Sequence, residues 1–301
     1  MDQHLVVFVE VVERGNFSRT AESLHMSQPA VSQYIAALEK AFGVQLLERN
    51  NKFVRKNRAG EIVYQYAKEI LRSYKQMEVL VSDLKNVPGG ELRIGASYTI
   101  GEYLLPQILA HLQRDYTRIL PTVSIGNTED IGQKLVNHEI DIGLVEGEFS
   151  HRQLAVEHFA IDDMYVIAGR NHALMKKDTI MTADLEGHTW IIREEGSGTR
   201  KMLEDFFTKH EIKPERVLTF GSTQVIKEGV ASGLGISLLS ELTLKKELQL
   251  DLIQKLEVED TPMQRNFSII KNHQEFHPKA LHVFEQVVKK VIQSPYAGKC
   301  I

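Results

Sequence analysis

Apolar residues recur at helical spacing through the N-terminal part of the chain. Positions 5, 8, 9 and 12 predict one amphipathic helix over residues 2–13. Ser18 is a suitable N-cap for a second helix over residues 19–24, and Ser27 caps a third helix that tolerates Pro29 in its first turn. Two helices joined by so short a turn predict a helix-turn-helix motif.

The third helix has one apolar and one polar face. Val31, Ile35 and Leu38 fall at i, i+4 and i+7 and are expected to face the core. The opposite face carries side chains that both donate and accept hydrogen bonds, as the reading of base edges requires. The candidate DNA contacts of this helix are Ser27, Gln28, Pro29, Ala30, Ser32 and Gln33. An ordinary surface helix of a small bundle is the alternative.

A basic segment follows the third helix. Residues 45–47 predict a short strand, and residues 49–58 hold five Lys or Arg and no Asp or Glu, which predicts a hairpin-like wing. Its position directly after a recognition-type helix favours phosphate contact over a solvated loop. The candidate contacts of the wing are Arg49, Lys52, Arg55 and Lys56.

Composition does not argue against this interpretation. The formal net charge is −4, but residues 1–60 hold eight Lys or Arg against six Asp or Glu, so the acidic excess lies in the remainder. One small basic domain is enough to bind nucleic acid. No apolar run reaches the ~18 residues of a membrane span, and no signal peptide is evident. The single cysteine, Cys300, has no partner in the chain, which is typical of a reducing cytoplasm.

A heptad repeat follows the wing. Apolar residues alternate at spacings of four and three until Pro88 and two glycines end the pattern. The repeat predicts a helix over about 60–85, about 40 Å long at 1.5 Å per residue. The candidate dimerisation residues are Val63, Ala67, Ile70, Tyr74, Met77, Val81 and Leu84. Such a seam pairs with a second copy of the chain, or else packs against the chain's own body.

Strand-like and helix-like segments alternate from residue 91 onward. This order predicts a mostly parallel sheet covered by helices. Ligands bind such sheets beyond the carboxyl ends of the strands, at helix N-termini, and three of these points carry small hydroxyl residues that suit an anion. The candidate effector-binding residues are Ser97, Tyr98, Thr99, Thr128, Glu146, Ser197, Thr199 and Arg200. Each point taken alone could be an ordinary N-cap or turn.

Residues 15–61 carry a longer pattern. The stretch GNFSRTAESLHMSQPAVSQYIAALEKAFGVQLLERNNKFVRKNRAGE resembles the N-terminal signature of the LysR-type transcriptional regulators. The resemblance implies an N-terminal all-α winged helix-turn-helix, a long linker helix and a C-terminal α/β two-lobed effector domain similar to the type 2 periplasmic-binding-protein fold. The expected limits are 1–59 for the DNA-binding domain, 60–88 for the linker and 89–301 for the effector domain, with lobe I about 89–160 and 266–301 and lobe II about 161–265.

Four further stretches resemble one branch of that family, the branch of the CysL-type and CbbR-type regulators. They are GASYTIGEYLLP, IGNTEDI, REEGSGTR and GSTQVIKEGVASGLGISLLSE. The branch implies a small, anionic effector from sulfur or central carbon metabolism, and in the wider family the positions of Ser97, Thr99, Thr128 and Thr199 commonly line the pocket. Glu195 stands where the branch often has proline.

The family resemblance also implies partners. These are double-stranded promoter DNA, a second copy of the chain in a dimer or tetramer, and RNA polymerase. Members often carry a basic residue where this chain has Gln33 or Ala36, so the wing is expected to supply more of the phosphate contact.

Two other classes of function are open to a chain of this pattern. A regulator that binds DNA without an effector is one alternative, and an enzyme on a binding-protein fold is the other. No nucleophile elbow, P-loop or zinc-ligand spacing occurs in the sequence, so no catalytic residue, metal or cofactor is expected. His273, His277 and His282 lie close in sequence, and a surface cluster is the favoured interpretation over a metal site.

Overall fold

The computed structural model divides into two compact units, residues 1–85 and 86–301, and each is described by itself. The structure describes residues 2–49, 53–84, 87–177, 180–273 and 276–293.

The first unit is a small helical domain with a two-stranded wing and a long helix. Its helices are α1 (Asp2–Arg14), α2 (Phe17–Ser23), α3 (Gln28–Phe42) and α4 (Arg58–Asp83), and its strands are β1 (Leu47–Arg49) and β2 (Val54–Lys56). The strands pair antiparallel, with Leu47 opposite Lys56. Val31, Ile35 and Leu38 of α3 are buried in one core with α1, as their spacing predicts.

The helix caps follow local hydrogen bonding. Ser27 caps α3, since its hydroxyl accepts from the backbone amide of Ala30 at 3.4 Å. The prediction that Ser18 caps the second helix is wrong, because Asn16 lies in extended backbone and its side chain accepts from the amide of Arg19 at 3.0 Å. The helix α2 therefore begins one residue before Ser18, at Phe17.

The helix α4 begins inside the segment predicted as wing. Asn57 caps it by accepting from the amide of Gly60 at 2.9 Å, so Arg58 is helical and pairs with Glu61 at 2.9 Å. At Gly60 an added Cβ would lie 2.1 Å from the carbonyl oxygen of Leu46, so only glycine lets the helix lie this close to the wing. The 26 residues of α4 span about 39 Å at 1.5 Å per residue.

The predicted seam of α4 has two parts. Ala67 is buried and Val63 partly buried against the core of the first unit. Further along, the apolar positions are exposed, including Met77 (49%) and Val81 (58%). The seam open to a partner in this unit therefore runs from Ile70 to Leu84, and the first turns of the repeat complete the chain's own core.

The second unit contains the remaining helices and strands. The helices are α5 (Tyr98–Tyr103), α6 (Leu105–Asp115), α7 (Thr128–Val136), α8 (Gly198–Lys209), α9 (Thr223–Ala231), α10 (Lys245–Gln249) and α11 (Lys279–Gln293), with short 3-10 helices at Ala173–Lys176, Thr182–Leu185 and Glu241–Thr243. The strands are β3 (Gly90–Ser97), β4 (Ile119–Gly126), β5 (Ile142–Glu146), β6 (Leu154–Gly169), β7 (Thr189–Arg193), β8 (Arg216–Phe220), β9 (Ser237–Ser240), β10 (Ile253–Lys255) and β11 (Met263–Asn272).

The main sheet is mixed, and the expectation of a mostly parallel sheet is wrong. Its order is β10-β6-β11-β5-β3-β4, with β9 also paired to β6. Within the described residues of this sheet, the parallel pairs are β3 with β4 and β3 with β5, whereas β11 runs antiparallel to both β5 and β6. The antiparallel strands join segments about a hundred residues apart along the chain, so local alternation cannot predict them.

Two lobes pack around this sheet. The first lobe buries β3, β5 and β11 beneath α5, α6 and α11, and the second has its own core around Trp190 and Phe206. Both β6 and β11 continue through the boundaries expected at 160/161 and 265/266. The lobe limits themselves stay a prediction. Among the described helices, none has both the length and the apolar character needed to cross a membrane.

Candidate functional site

The outer face of α3 is polar and open. Ser27, Gln28, Pro29 and Gln33 are exposed, and Ala30 and Ser32 are half-buried. The side-chain amide of Gln28 donates to the Ser32 hydroxyl at 3.1 Å, which holds the two side chains together on one face. The face thus presents donors and acceptors on a rigid helix, as contact with base edges requires.

The described cations of the wing have different partners. The Arg55 guanidinium lies 4.9 Å from the centroid of the Phe53 ring and stays exposed. The Lys56 ammonium lies 4.4 Å from the centroid of the Tyr64 ring on α4. Lys52 and the side chain of Arg49 lie outside the described residues. Arg55 is therefore the described wing cation best placed for a phosphate.

The second unit brings most of the predicted effector residues into one buried group around Glu146, which we call the Glu146 cluster. Ser97 donates to Glu146 Oε2 at 3.0 Å, and Thr199 donates to Oε1 at 3.3 Å. Thr128 donates to the Glu146 backbone carbonyl at 3.1 Å. Three segments far apart in sequence thus meet at the carboxyl end of β5.

Close backbone approach makes this meeting possible. Gly198 begins α8, and a Cβ there would lie 2.2 Å from the Glu146 carbonyl oxygen. Nearby, the amide of Glu129 donates to the carbonyl of Gly196 at 3.2 Å. The side chain of Asn127 also reaches the Glu195 carbonyl at 3.2 Å. The N-terminal ends of α7 and α8 therefore touch across the cleft between the lobes.

The cation of the cluster is Arg265, which was not among the predicted site residues. Its guanidinium donates to Thr199 at 3.0 Å and to Thr99 at 3.2 Å. It also pairs with Asp162 at 2.8 Å and with Glu146 at 3.4 Å, and its side chain is 1% exposed. One buried arginine therefore links hydroxyls of both lobes to two carboxylates.

The charges of the cluster modify one another. Burial alone would lower the pKa of Arg265, but Glu146 and Asp162 outweigh it and hold that pKa above its ordinary value. Burial raises the pKa of Asp162, although Arg265 and the Ser240 hydroxyl, which donates at 2.6 Å, favour the charged form. The arginine thus stays charged, and Glu146 and Asp162 are its counter-charges.

The remaining predicted residues lie around the cluster. Ser197 caps α8 through the amide of Arg200 at 3.5 Å. Tyr98 stacks on Arg193, whose guanidinium lies 4.5 Å from the ring centroid. Arg200 itself donates to Glu204 at 2.7 Å, and among the described hydrogen bonds none joins it to Glu146.

Arg193 is a second buried arginine that was not predicted. It donates to the Thr223 hydroxyl at 3.1 Å and pairs with Glu194 at 2.7 Å. A signal for a buried arginine was present in the last strand. Arg265 is in phase with Phe267 and Ile269, so the period of two places it on the buried face. A charge at such a position needs a buried partner, which marks it as a site candidate.

Two of the three histidines near the C-terminal helix are in ring contact, and the third bonds elsewhere. The rings of His277 and His282 lie 5.9 Å apart, and the amide of His273 donates to the Gln153 carbonyl. The residues that the structure describes contain no group of three His, Cys, Asp or Glu side chains arranged to hold a metal.

Two family models match the chain. Residues 3–61 match the bacterial regulatory helix-turn-helix protein of the lysR family, and residues 85–293 match the LysR substrate binding domain. Similar proteins include the HTH-type transcriptional regulator CysL of Bacillus subtilis, 37% identical over 96% of this chain and 97% of that protein. The HTH-type transcriptional activator CmpR of Synechocystis is 34% identical over 88% and 86%.

Solved structures show the same architecture. The Synechocystis CcmR regulatory domain in complex with 2-PG aligns with a TM-score of 0.63 and 29% identity, over 68% of this chain and 99% of that one. A full-length OxyR variant of Pseudomonas aeruginosa aligns with a TM-score of 0.71 and 24% identity, over 96% and 94%. The latter likeness shows a shared two-domain fold, with a helix-turn-helix domain ahead of a two-lobed domain.

Proposed function

The chain belongs to the LysR family of transcriptional regulators, and from that premise we propose that a small anionic metabolite bound at the Glu146 cluster controls its action at promoter DNA. The observation that carries the proposal is Arg265, a buried cation joined to hydroxyls of both lobes. Carboxylates and phosphates are the natural partners of a guanidinium.

The hydrogen bonds indicate how such a ligand acts. In the structure, Glu146 accepts from Ser97 and Thr199, so an anion entering the cluster competes with that carboxylate for the same hydroxyls. Its charge meets Arg265 and the amides at the N-terminal end of α8. Because those groups belong to different lobes, the bound anion changes how strongly the lobes hold together. That differential contact is what an effector needs in order to shift a conformational equilibrium.

The relatives support a ligand class. CcmR is described in complex with 2-PG, and further relatives are named CysL and probable RuBisCO transcriptional regulators. We therefore propose a phosphorylated or carboxylated small acid of sulfur or central carbon metabolism. Glu195, which lies 3.9 Å from Arg200 and is 90% exposed, adds a negative charge near the cleft that disfavours the most highly charged anions.

An effector-independent regulator is the second candidate. It is favoured by the internal pairing of the cluster, in which the Ser97, Thr128 and Thr199 hydroxyls all find acceptors within the chain. A protein of this kind would bind its operator without any small molecule and would respond to none.

Replacing Thr99 by Val tests the proposed effector site. The substitution keeps the shape but removes the hydroxyl that accepts from Arg265, so it should abolish ligand stabilisation. The measurement is thermal unfolding with sulfate, thiosulfate, O-acetylserine, 2-phosphoglycolate and dicarboxylates. A ligand at 100 times its Kd should stabilise the wild type by about 2.7 kcal/mol.

The matched control is Thr117→Val, which removes an exposed hydroxyl in a turn. Basal operator binding should stay unchanged in both variants. If none of the anions stabilises the wild type, the effector-independent candidate is favoured. If T99V and T117V respond alike, the ligand binds elsewhere.

We propose that the first unit, residues 1–85, is a DNA-binding head. The outer face of its helix α3 contacts the base edges, and the wing contacts phosphates. Replacing Arg55 by Ala should weaken binding to all DNA sequences alike. It should also reduce the slope of the log binding constant against log salt concentration by about one counterion. Binding isotherms at several salt concentrations measure this slope. Arg152→Ala removes an exposed cation from the second unit and serves as control. An unchanged slope in R55A would exclude a phosphate contact.

Two heads, one from each paired chain, bind two half-sites about one helical turn apart in this proposal. The pairing uses the exposed seam of α4. RNA polymerase is the further proposed partner, and the cytoplasm, where bacterial promoters lie, is the proposed location.

A further inference from the structure

A cavity in the second unit is lined by residues that do not belong to the Glu146 cluster. Its volume is about 320 Å³, and its walls come from α5, α6, α9 and the segment 241–247. At ~30 Å³ per water-sized unit this volume holds about ten heavy atoms, the size of a small metabolite. The residues that matter for its chemistry are Tyr103, Gln107, Lys227, Lys245, Lys246 and Glu247.

The charge of the cavity is mostly positive. Three lysines line it, and one carboxylate, Glu247, opposes them. Lys227 is 3% exposed, pairs with Glu247 at 2.7 Å and donates to the Thr243 carbonyl at 2.9 Å. Burial lowers the pKa of Lys227, but Glu247 and Tyr103 outweigh it and raise that pKa, so the ammonium stays charged. Among the side chains that line the cavity, the three lysines outnumber the one carboxylate.

Glu247 offers a further contact. Its Oε1 is held by Lys227, whereas Oε2 is buried and has no hydrogen-bond partner among the described residues. A buried carboxylate oxygen requires a donor, and the described part of the chain supplies none. A ligand that suits both features carries an anionic group for the lysines and a hydroxyl for this oxygen.

Three connections lead from the cavity to Arg193 and to the Glu146 cluster. The helix α5 starts with Tyr98, which stacks on Arg193, and ends with Tyr103 in the cavity wall. The helix α9 starts with Thr223, which accepts from Arg193, and presents Lys227 one turn later. The third connection passes through Ser240, which donates to Asp162 beside Arg265.

That third connection continues without a gap. The Thr243 hydroxyl donates to the Ser240 carbonyl at 2.8 Å, and the Thr243 carbonyl accepts from Lys227. A ligand that moves Lys227 or the segment 241–247 therefore acts on residues that also hold Arg265 and Arg193. Contiguous hydrogen bonds of this kind can carry coupling between two sites.

We propose that this cavity is a second ligand site, which takes a small hydroxylated anion such as a phosphorylated hydroxy acid. Binding there changes the affinity of the Glu146 cluster for its own ligand. The coupling rests on the proposed effector function, whereas the binding itself does not. The second site therefore lets one regulator respond to two metabolites.

The test uses hydrogen exchange of the full-length chain with 3-phosphoglycerate as the probe, at concentrations up to about 10 mM, within the range of weak metabolite affinities. Binding should slow amide exchange in the segment 241–249, in the wild type and in T99V alike. The double variant K245E/K246E should weaken this protection by about tenfold or more, because it reverses two charges in the cavity wall. The control K176E/K213E makes the same change of net charge at exposed lysines outside the cavity and should behave as the wild type.

The outcomes are separable. If the probe does not protect residues 241–249 in the wild type, the proposed second site is wrong. It is also wrong if the protection is retained in K245E/K246E. Protection that survives in T99V shows that the probe binds independently of the Glu146 cluster. If T99V loses the protection together with every other ligand effect, the probe acts only through the first site and the proposal is wrong.

Discussion

Replacing Val81 by Asp should separate the paired chains and weaken operator binding by about 10²–10⁴-fold. Val81 is 58% exposed in the last turns of α4, within the seam that runs from Ile70 to Leu84. In a paired helix, two copies of the new carboxylate would face each other in an apolar seam without a cation. That burial is unfavourable enough to prevent pairing, while the free chain keeps its fold because the site is exposed.

The loss of affinity follows from linkage of the two heads. A head tethered to a bound partner finds its half-site at an effective concentration near millimolar, whereas a free head binds alone. Sedimentation of the full chain gives the mass, and fluorescence anisotropy on an operator fragment gives the affinity. The control is Ser82→Asp, which adds the same charge at the next, exposed position outside the seam. A dimeric V81D protein would show that the chains pair through another surface.

Replacing Arg265 by Met should lower the free energy of unfolding by about 3–5 kcal/mol. The arginine is the cation between Glu146 and Asp162 and donates to two threonines, so its removal leaves two carboxylates buried without a counter-charge. Urea unfolding followed by the fluorescence of Trp190 measures the change. Trp190 is the only tryptophan of the chain and is buried in the second lobe.

The deficit should depend on pH in a defined direction. Without the arginine, burial and the neighbouring Glu146 carboxylate raise the folded-state pKa of Asp162 further above its unfolded value near 4. The deficit is therefore full above the folded-state pKa and shrinks as pH falls through it, so R265M should be closer to wild type at about pH 5 than at about pH 7.5. Arg170→Met, which breaks an exposed pair with Asp251 at 3.4 Å, should cost at most about 1 kcal/mol. Equal deficits in the two variants would contradict the role assigned to Arg265.

Local patterns predicted the first unit well. The spacing of Val31, Ile35 and Leu38 depends only on the helix period, so the core face of α3 follows from the sequence alone. The caps are harder to predict, since Asn16 and Ser18 are both suitable residues and the choice depends on where the backbone turns. The predicted hydroxyls at Ser97 and Thr128 do converge, because they follow β3 and β4, neighbouring parallel strands whose ends share one edge of the main sheet. Thr199 joins them from the second lobe, where β7 lies in a separate sheet.

The remainder of the site depends on pairings that lie far apart in sequence. Arg265 reaches the cluster because β11 returns between β5 and β6, and no residue pattern near Arg265 indicates that return. Arg200 looked suitable by position, but Glu204 lies one turn further along the same helix and pairs with it first. Competition between near and distant partners is decided by tertiary structure, which a residue pattern does not contain.

The position of β11 in the main sheet also orders events during synthesis. The strand β5 ends at Glu146, and the strand that covers its open edge begins only at Met263. At ~5–20 residues per second, roughly ten seconds pass on the ribosome before the two can meet. The head and the α4 seam are complete well before that moment. A nascent chain therefore completes its helix-turn-helix domain and its α4 seam before its effector domain can fold.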